Sequence, residues 1–128
     1  MTRPRISMSR VLIVYTQSLD DPAQCGAPFL YAQDAAVAGH QTEMFFTTRG
    51  TALLKKGVAE TVFPKTGGRS VRQFINDAVA KGVRLIVCAP SLALNDMTED
   101  DLIDEADTLV GTAYLITEGL KADLILTF

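Results

Sequence analysis

Residues 84–102 read RLIVCAPSLALNDMTEDDL, and this stretch decides the fold. An apolar run ends on Cys88, Pro90 follows, and a helix-like segment comes next. A short, continuous apolar run between turn residues is typical of a strand that is covered on both faces of a parallel sheet. The stretch therefore predicts a strand over residues 84–90 and a helix that starts at Thr98, where a T-x-x-D pattern resembles a capping box.

Short apolar runs alternate with longer amphipathic ones along the rest of the chain, which is the pattern of βαβ units. Further strands are predicted at residues 10–15, 41–47 and 122–128. Helices are predicted at residues 27–39, 70–82, 98–110 and 112–120, with one or two helical turns at 51–57. We therefore predict an α/β fold: a single doubly wound domain whose mostly parallel sheet of four or five strands is flanked by helices.

The length of the chain suits one domain, and its composition suits an assembly. With 128 residues there is room for one core, so we expect a flexible N-terminal tail at residues 1–9 and a domain at residues 10–128. The hydrophobic share is 48% and the mean hydropathy +0.18, which is much apolar surface for a small domain to bury alone. We therefore expect a homo-oligomer.

The charge argues against two classes of partner. The net charge is -3, with acids and bases mixed, whereas nucleic acids and anionic membranes both require a basic face. We expect no direct nucleic-acid binding and no membrane binding. The N-terminus lacks the apolar core of a signal peptide, so we expect a cytoplasmic protein in which two distant cysteines stay thiols.

Reactive groups in such a sheet collect at the carboxyl ends of the strands. Cys88 lies at one of these ends, and Cys25 lies in the loop that leaves another. Backbone N–H groups and the Ser91 hydroxyl can stabilise a thiolate at Cys88, but a buried, inert thiol is an equally common role for cysteine. Cys25 is either a second thiol that relays sulfur from Cys88 or a small residue in a loop.

Several other chemistries lack the residues they need. A phospho-acceptor site requires an aspartate at the end of the third strand and acids after the first, where this chain has Cys88 and the pair Tyr15-Thr16. A cysteine phosphatase or rhodanese loop requires an arginine shortly after the cysteine, and none follows Cys88. One histidine, His40, and two distant cysteines do not make a metal site.

Four pieces of sequence, in this order, resemble the DsrE/DsrF-like family. They are T-x-x-x-D-D-P after the first strand, A-A-V-A-G-H-Q-T-E-M-F-F, G-x-x-L-L-K-K-G and K-G-V-R-L-I-V-C. The correspondence runs from about residue 10 to residue 128, nearly the whole chain. The resemblance implies a small α/β domain that assembles into trimers or hexamers.

The resemblance also implies a role in sulfur relay. In the better understood members, a cysteine at the end of this strand accepts a sulfane sulfur as a persulfide and passes it to a partner protein, and Cys88 matches that position. Relatives often have further cysteines after it, where this chain has Ser91 and Leu92. The resemblance implies that Ala89 and Pro90 line the site beside Cys88, with Thr16 and Ser18 on the neighbouring strand end. Ser91, the candidate hydroxyl donor named above, completes the expected set of site residues.

The sequence and the resemblance together leave two alternative functions. The first is a sulfur carrier or sulfurtransferase-like protein that holds a persulfide on Cys88, requires neither a metal nor an organic cofactor, and works between a donor protein and an acceptor protein. The alternative is a non-enzymatic oligomeric scaffold or small-ligand-binding subunit in which Cys88 only lines a pocket. Access to the thiol separates the two functions, and the resemblance favours a Cys88 that is presented rather than buried.

Overall fold

Five strands form one sheet within residues 8–128, the part of the chain that this computed structural model describes. The strands are β1 (Arg10–Tyr15), β2 (Gln41–Phe46), β3 (Arg84–Cys88), β4 (Ala106–Val110) and β5 (Leu124–Thr127). Their order across the sheet is β4-β3-β2-β1-β5, and neighbouring strands run parallel. The predicted α/β fold with a parallel sheet is confirmed.

Four α-helices join the strands in the described residues. They are α1 (Ala27–Val37), α2 (Val71–Ala80), α3 (Pro90–Leu94) and α4 (Ala113–Gly119). The helices predicted at residues 27–39, 70–82 and 112–120 are confirmed, and the turns predicted at 51–57 overlap a 3-10 helix over Thr48–Leu54. The remaining 3-10 turns are short and lie over Pro22–Gln24, Ala59–Thr61 and Glu99–Asp101.

The start of α2 illustrates how local sequence sets an element. The Ser70 hydroxyl accepts a hydrogen bond from the Gln73 backbone N–H at 3.3 Å, and the Gln73 side chain accepts one from the Ser70 N–H at 2.9 Å. This capping box satisfies two N–H groups that would otherwise have no partner in the first turn. Gly82 follows the helix with a φ of +95°, which lets the chain turn into β3.

The helix predicted at residues 98–110 is wrong. Thr98 and Asp101 do form a capping box, but the helix behind it is only the 3-10 turn Glu99–Asp101. The Lys56 N–H then bonds to the Asp101 carbonyl at 2.8 Å and the Ile103 N–H to the Leu54 carbonyl at 2.9 Å. These bonds tie the segment to the loop after β2, and the following residues pair with the free edge of β3 as strand β4 instead.

Alternation of side chains along the strands divides the core into two clusters on opposite faces of the sheet. The major core contains most of the buried residues, including those of α1 and α2, and lies on the face that these two helices cover. The minor core is Leu12, Val14, Phe45, Ile86 and Cys88. It lies on the other face, where α4 crosses from β4 at one edge of the sheet to β5 at the other.

The N-terminal part of the chain joins the sheet just before β1. Of the predicted tail, residues 1–7 lie outside the described residues, whereas the Ser9 carbonyl accepts a hydrogen bond from the Gln41 N–H at 2.9 Å at the start of β2. Within residues 8–128, none of the helices has both the length and the apolar character needed to cross a membrane.

Candidate functional site

Cys88 is the last residue of β3, between the ends of β2 and β4 at the carboxyl edge of the sheet. Its side chain belongs to the minor core, and the residue is only 3% exposed. The prediction of a presented thiol is therefore wrong for the chain as folded here. Cys88 does border an open cavity of about 300 Å³. The cavity is lined by Thr47, Thr48, Cys88, Pro90, Ser91, Leu94 and Thr112.

The residues that line this cavity carry hydroxyl and apolar groups and no charge. A phosphate or thiosulfate dianion requires cations or several free N–H groups around it, because burying a charge without a partner is costly. The lining therefore disfavours a small anion as ligand. It suits a neutral group, such as the end of an apolar side chain or an uncharged sulfur species.

Ser91 holds the backbone of Cys88 in place. Its hydroxyl donates to the Cys88 carbonyl at 2.5 Å and lies 2.6 Å from the Thr51 hydroxyl. Since the Ser91 proton is used on the carbonyl, Thr51 is the donor in the second bond. The expected role of Ser91 as a donor to the thiolate is therefore not what this geometry provides, because the hydroxyl positions the main chain instead.

Asn95 joins the loop after β2 to helix α3 beside the cavity. Its side-chain amide donates to the Thr48 carbonyl and to the Ser91 carbonyl, each at 2.8 Å. Thr48 has a φ of +50°, in the left-handed region that β-branched residues rarely adopt. A residue in such a conformation persists only where its surroundings hold it there, and such residues cluster at functional sites.

The residues expected beside Cys88 lie in different places. Pro90 and Ser91 line the cavity, and the Ala89 N–H donates to the Val110 carbonyl at 2.7 Å. Thr16 and Ser18 follow β1, and β2 separates β1 from β3, so the expectation that they lie on a neighbouring strand end is wrong. The Thr16 hydroxyl instead donates to the Phe128 carbonyl, and the Ser18 hydroxyl accepts from the Asp20 N–H.

The lining residues that the sequence analysis did not predict are Leu94, at the end of α3, and the three threonines Thr47, Thr48 and Thr112. Each threonine lies just after β2 or β4, the two strands that flank β3. Their position after a strand was visible in the sequence for Thr47 and Thr48. What was missing was the order of the strands, which decides whose ends meet at Cys88.

Cys25 lies on the other side of the sheet from Cys88. It is fully buried in the major core, and its thiol donates to the carbonyls of Ser18 at 3.4 Å and Asp21 at 3.5 Å. Burial raises the pKa of the Cys25 thiol, and the nearby Asp21 carboxylate acts in the same direction. The structure does not bring the two thiols together, because the sheet lies between them.

Neither the single histidine nor any acid lines the cavity at Cys88. His40 accepts a hydrogen bond at Nδ1 from the Ser9 N–H at 3.3 Å, at the junction before β2. Among the described residues, no group of three or more His, Cys, Asp and Glu side chains is placed to hold a metal ion. The chemistry available at the cavity is therefore that of the Cys88 sulfur and its uncharged surroundings.

Comparisons with known proteins agree with this architecture. The crystal structure of the ychN protein from E. coli has a TM-score of 0.77 at 17% sequence identity, covering 94% of this chain and 100% of that one. Protein MTH1491 of unknown function from Methanobacterium thermoautotrophicum has a TM-score of 0.73 at 14% identity, covering 94% of this chain and 99% of that one. At such identities the likeness shows the fold alone.

The family follows from the sequence itself. No curated protein matches the sequence. The model of the DsrE/DsrF-like family matches residues 9–128, which include every strand and helix described above as well as Cys88. The resemblance seen in the sequence is thereby confirmed, and this chain belongs to the DsrE/DsrF-like family.

Proposed function

We propose that this protein is a sulfur carrier, sulfurtransferase-like in its chemistry, that holds a sulfane sulfur as a persulfide on Cys88. The observation that carries the proposal is the position of Cys88. It is the last residue of a central strand, at the edge of the sheet where reactive groups collect, and it borders an uncharged cavity of about 300 Å³. Membership of the DsrE/DsrF-like family suggests a sulfur-relay role for such a site.

The transfer is an exchange between a thiolate and a persulfide. The Cys88 thiolate attacks the outer sulfur of a donor persulfide, R–S–SH. The S–S bond of the donor breaks, the donor leaves as the thiolate R–S⁻, and the proton stays on the transferred sulfur, which gives Cys88–S–SH. An acceptor thiolate then attacks that outer sulfur in the same way and releases Cys88 as a thiolate. Because the exchange only moves a sulfur atom from one thiolate to another, with no net oxidation or reduction, it requires no metal and no organic cofactor.

Donor and acceptor proteins supply the two ends of this relay. The uncharged lining of the cavity supports protein persulfides over small sulfur anions, because a thiosulfate dianion would meet no cation there. Thiol chemistry of this kind requires reduced cysteines, and both Cys25 and Cys88 are free. We therefore place the relay in the cytoplasm, where thiols stay reduced. Because the protein has a net charge of -3, whereas nucleic acids and anionic membranes require a basic face, we expect it to contact neither directly.

We further infer that the protein works as a homo-oligomer, a trimer or a hexamer. The outer side of α4 and the edge strand β5 expose large apolar side chains: Ile116 at 67%, Leu120 at 85%, Leu124 at 48% and Ile125 at 45%. Beside them is an apolar groove of about 350 Å³. Contiguous apolar surface of this kind is typical of protein interfaces, and a further copy of the chain is the occupant that the family resemblance suggests.

One observation favours the second candidate, a non-enzymatic scaffold or ligand-binding subunit. Cys88 is 3% exposed, so the thiol of a donor or acceptor protein does not reach its sulfur without a movement of the chain. In this alternative the cavity holds a small neutral ligand, and Cys88 is part of its wall.

Intact-mass spectrometry after brief exposure to polysulfide separates the two candidates. The experiment compares the wild type with Cys88→Ser and Cys25→Ser, and the same samples under native conditions give the mass of the assembly. The carrier predicts added sulfur atoms, in steps of about 32 Da each, in the wild type and in Cys25→Ser but not in Cys88→Ser. If neither variant gains sulfur although the wild type does, the result would indicate a relay through both thiols.

The result that contradicts the carrier is equally direct. If the wild type gains no sulfur although its thiols remain reduced, the scaffold becomes the better hypothesis. A native mass equal to that of the single chain, 13.8 kDa, would contradict the proposed assembly without bearing on the thiol.

A further inference from the structure

The elements around the Cys88 cavity are held in place to very different degrees. The 3-10 helix Thr48–Leu54 buries four residues, Gly50, Thr51, Leu53 and Leu54. Helix α3 buries Ser91 and Leu92. Helix α4 follows directly after the cavity residue Thr112 and has no buried residue at all. Local opening favours elements with few buried apolar contacts, so within a single chain α4 is the element most ready to move.

Polar contacts attach α4 to the sheet. The Tyr114 hydroxyl donates to Glu43 Oε1 at 2.8 Å, and its ring stacks on Phe45 with centroids 6.2 Å apart. One turn later, Arg10 donates to Glu118 Oε2 at 3.2 Å. Glu43 itself is buried, with its side chain 5% exposed, and it also pairs with Arg84 at 3.0 Å. The helix is therefore fastened at two points along its length, both on the face that contains Cys88.

The fastened helix covers the minor core. Tyr114 and Leu115 pack against the cluster to which Cys88 belongs, together with Val110 before the helix and Ala122 after it. Removing this cover would expose the apolar side chains of the cluster and the sulfur with them. Cys88, which is 3% exposed, belongs to the cluster that α4 covers.

We propose that α4 is a lid over Cys88, held closed by the Tyr114–Glu43 hydrogen bond and the Arg10–Glu118 ion pair. The lid controls when the thiol can be reached, and it rests on the proposed function in that this thiol is the proposed sulfur carrier. The two fastenings differ in strength. Glu43 is almost completely buried and makes the stronger contact, whereas the Arg10 and Glu118 side chains are 28% and 22% exposed, and solvent weakens their attraction.

Site-resolved alkylation tests the lid, because the chain has two buried thiols on opposite faces. Native protein is treated with iodoacetamide at fixed pH, and the modification of Cys88 and Cys25 is followed separately by peptide mass spectrometry. Tyr114→Phe keeps the ring and removes the hydroxyl. Tyr31→Phe makes the same chemical change on α1, on the opposite face of the sheet, and is the matched control.

In Tyr114→Phe we expect Cys88 to alkylate about tenfold faster than in the wild type, because a hydrogen bond to a buried carboxylate is lost. Glu118→Gln is expected to give a smaller increase, about twofold. Cys25 should react at the wild-type rate in both variants, and Tyr31→Phe should change neither rate. Native mass spectrometry of each variant establishes that its assembly is that of the wild type, since α4 also contributes to the apolar surface described above.

Two outcomes would overturn the lid. If Cys25 and Cys88 accelerate together in Tyr114→Phe, the thiols react through general unfolding and α4 has no special part. If neither Tyr114→Phe nor Glu118→Gln changes the rate at Cys88, the helix does not control access. Failure of the proposed function looks different: faster alkylation of Cys88 with no sulfur gained from polysulfide would keep the lid and reject the carrier.

Discussion

The two faces of the sheet contain side chains of the same strands, yet they are built for different purposes. On one face, α1 and α2 bury Tyr15, Phe29 and Phe46 completely, with Tyr15 and Phe46 rings 4.7 Å apart. On the other face, five buried residues lie under α4, which contributes no buried residue. Cys25 is on the first face and Cys88 on the second. The difference indicates that the first face carries most of the packing that stabilises the fold, and the lid that we propose lies on the second.

Two adjacent phenylalanines test this difference with the largest expected effect. Phe46 belongs to the major core and Phe45 to the minor core, although both are at most 2% exposed. We expect Phe46→Ala to reduce the free energy of unfolding by about 3–5 kcal/mol, because its tightly enclosed site leaves a cavity. Phe45→Ala should cost at least about 1 kcal/mol less, since α4 can settle into the space.

Urea unfolding of both variants measures the comparison directly, and each variant serves as the other's control. Equal losses would mean that the two faces are packed equally well, and α4 would then be a rigid part of the core. The same Phe45→Ala protein should also alkylate faster at Cys88, since Tyr114 loses the ring on which it stacks.

Two glycines offer a second comparison, with a smaller effect. A Cβ added at Gly50 would lie 2.5 Å from the Tyr15 carbonyl oxygen and 2.8 Å from its ring, so the backbone of the major-core side would have to shift. At Gly111, just before α4, a Cβ would meet nothing within 4 Å. We expect Gly50→Ala to cost about 1–3 kcal/mol and Gly111→Ala to stay within about 0.5 kcal/mol of the wild type.

Thermal or urea unfolding checks both glycine variants under one set of conditions. A Gly111→Ala variant as unstable as Gly50→Ala would show that the connection into α4 is tightly constrained. The idea of a mobile cover on the minor core would then lose its basis.

The sequence predicts the fold well where local signals and tertiary contacts agree. The apolar runs β1, β2 and β3 are the inner strands of the sheet, each with a neighbouring strand on either side. The capping box at Ser70 starts α2 as expected. At residues 98–110 the two kinds of signal disagree. The T-x-x-D start is real, but a helix behind it would leave the edge of β3 unpaired, and pairing with β4 prevails.

The candidate site is less predictable, because it depends on strand order and on which face each side chain takes. That Cys88 ends a strand follows from the sequence alone. That β2 and β4 flank it, and that Thr48 and Thr112 therefore line its cavity, follows only from the order of the sheet. The cluster that contains Cys88 is packed against by α4, which is distant in sequence and crosses the sheet to reach β5.

The third comparison uses pH and has the smallest expected effect. Burial raises the pKa of Cys25, with Asp21 acting in the same direction, so the folded chain keeps a proton that the unfolded chain loses near the ordinary thiol pKa, about 8.5. Folding stability is therefore fully present below that pH and falls as the pH rises above it, at no more than about 1.4 kcal/mol per pH unit for one proton. Between pH 8 and 9.5, Cys25→Ala should show a flatter decline than the wild type.

Tyr15 provides the control for this pH dependence. Burial also raises its pKa, but a tyrosine in the unfolded chain ionises near pH 10, and the Tyr15 hydroxyl lowers the pKa of the Cys25 thiol. Tyr15→Phe should therefore leave the decline between pH 8 and 9.5 at least as steep as in the wild type and flatten it only above pH 10. Urea unfolding at closely spaced pH values measures both slopes. If Cys25→Ala declines as steeply as the wild type, the thiol of the major core ionises as easily in the folded chain as in the unfolded one. Cys25 would then form the reactive thiolate as readily as an unfolded thiol, and it would be a poorer reference against which access to Cys88 is judged.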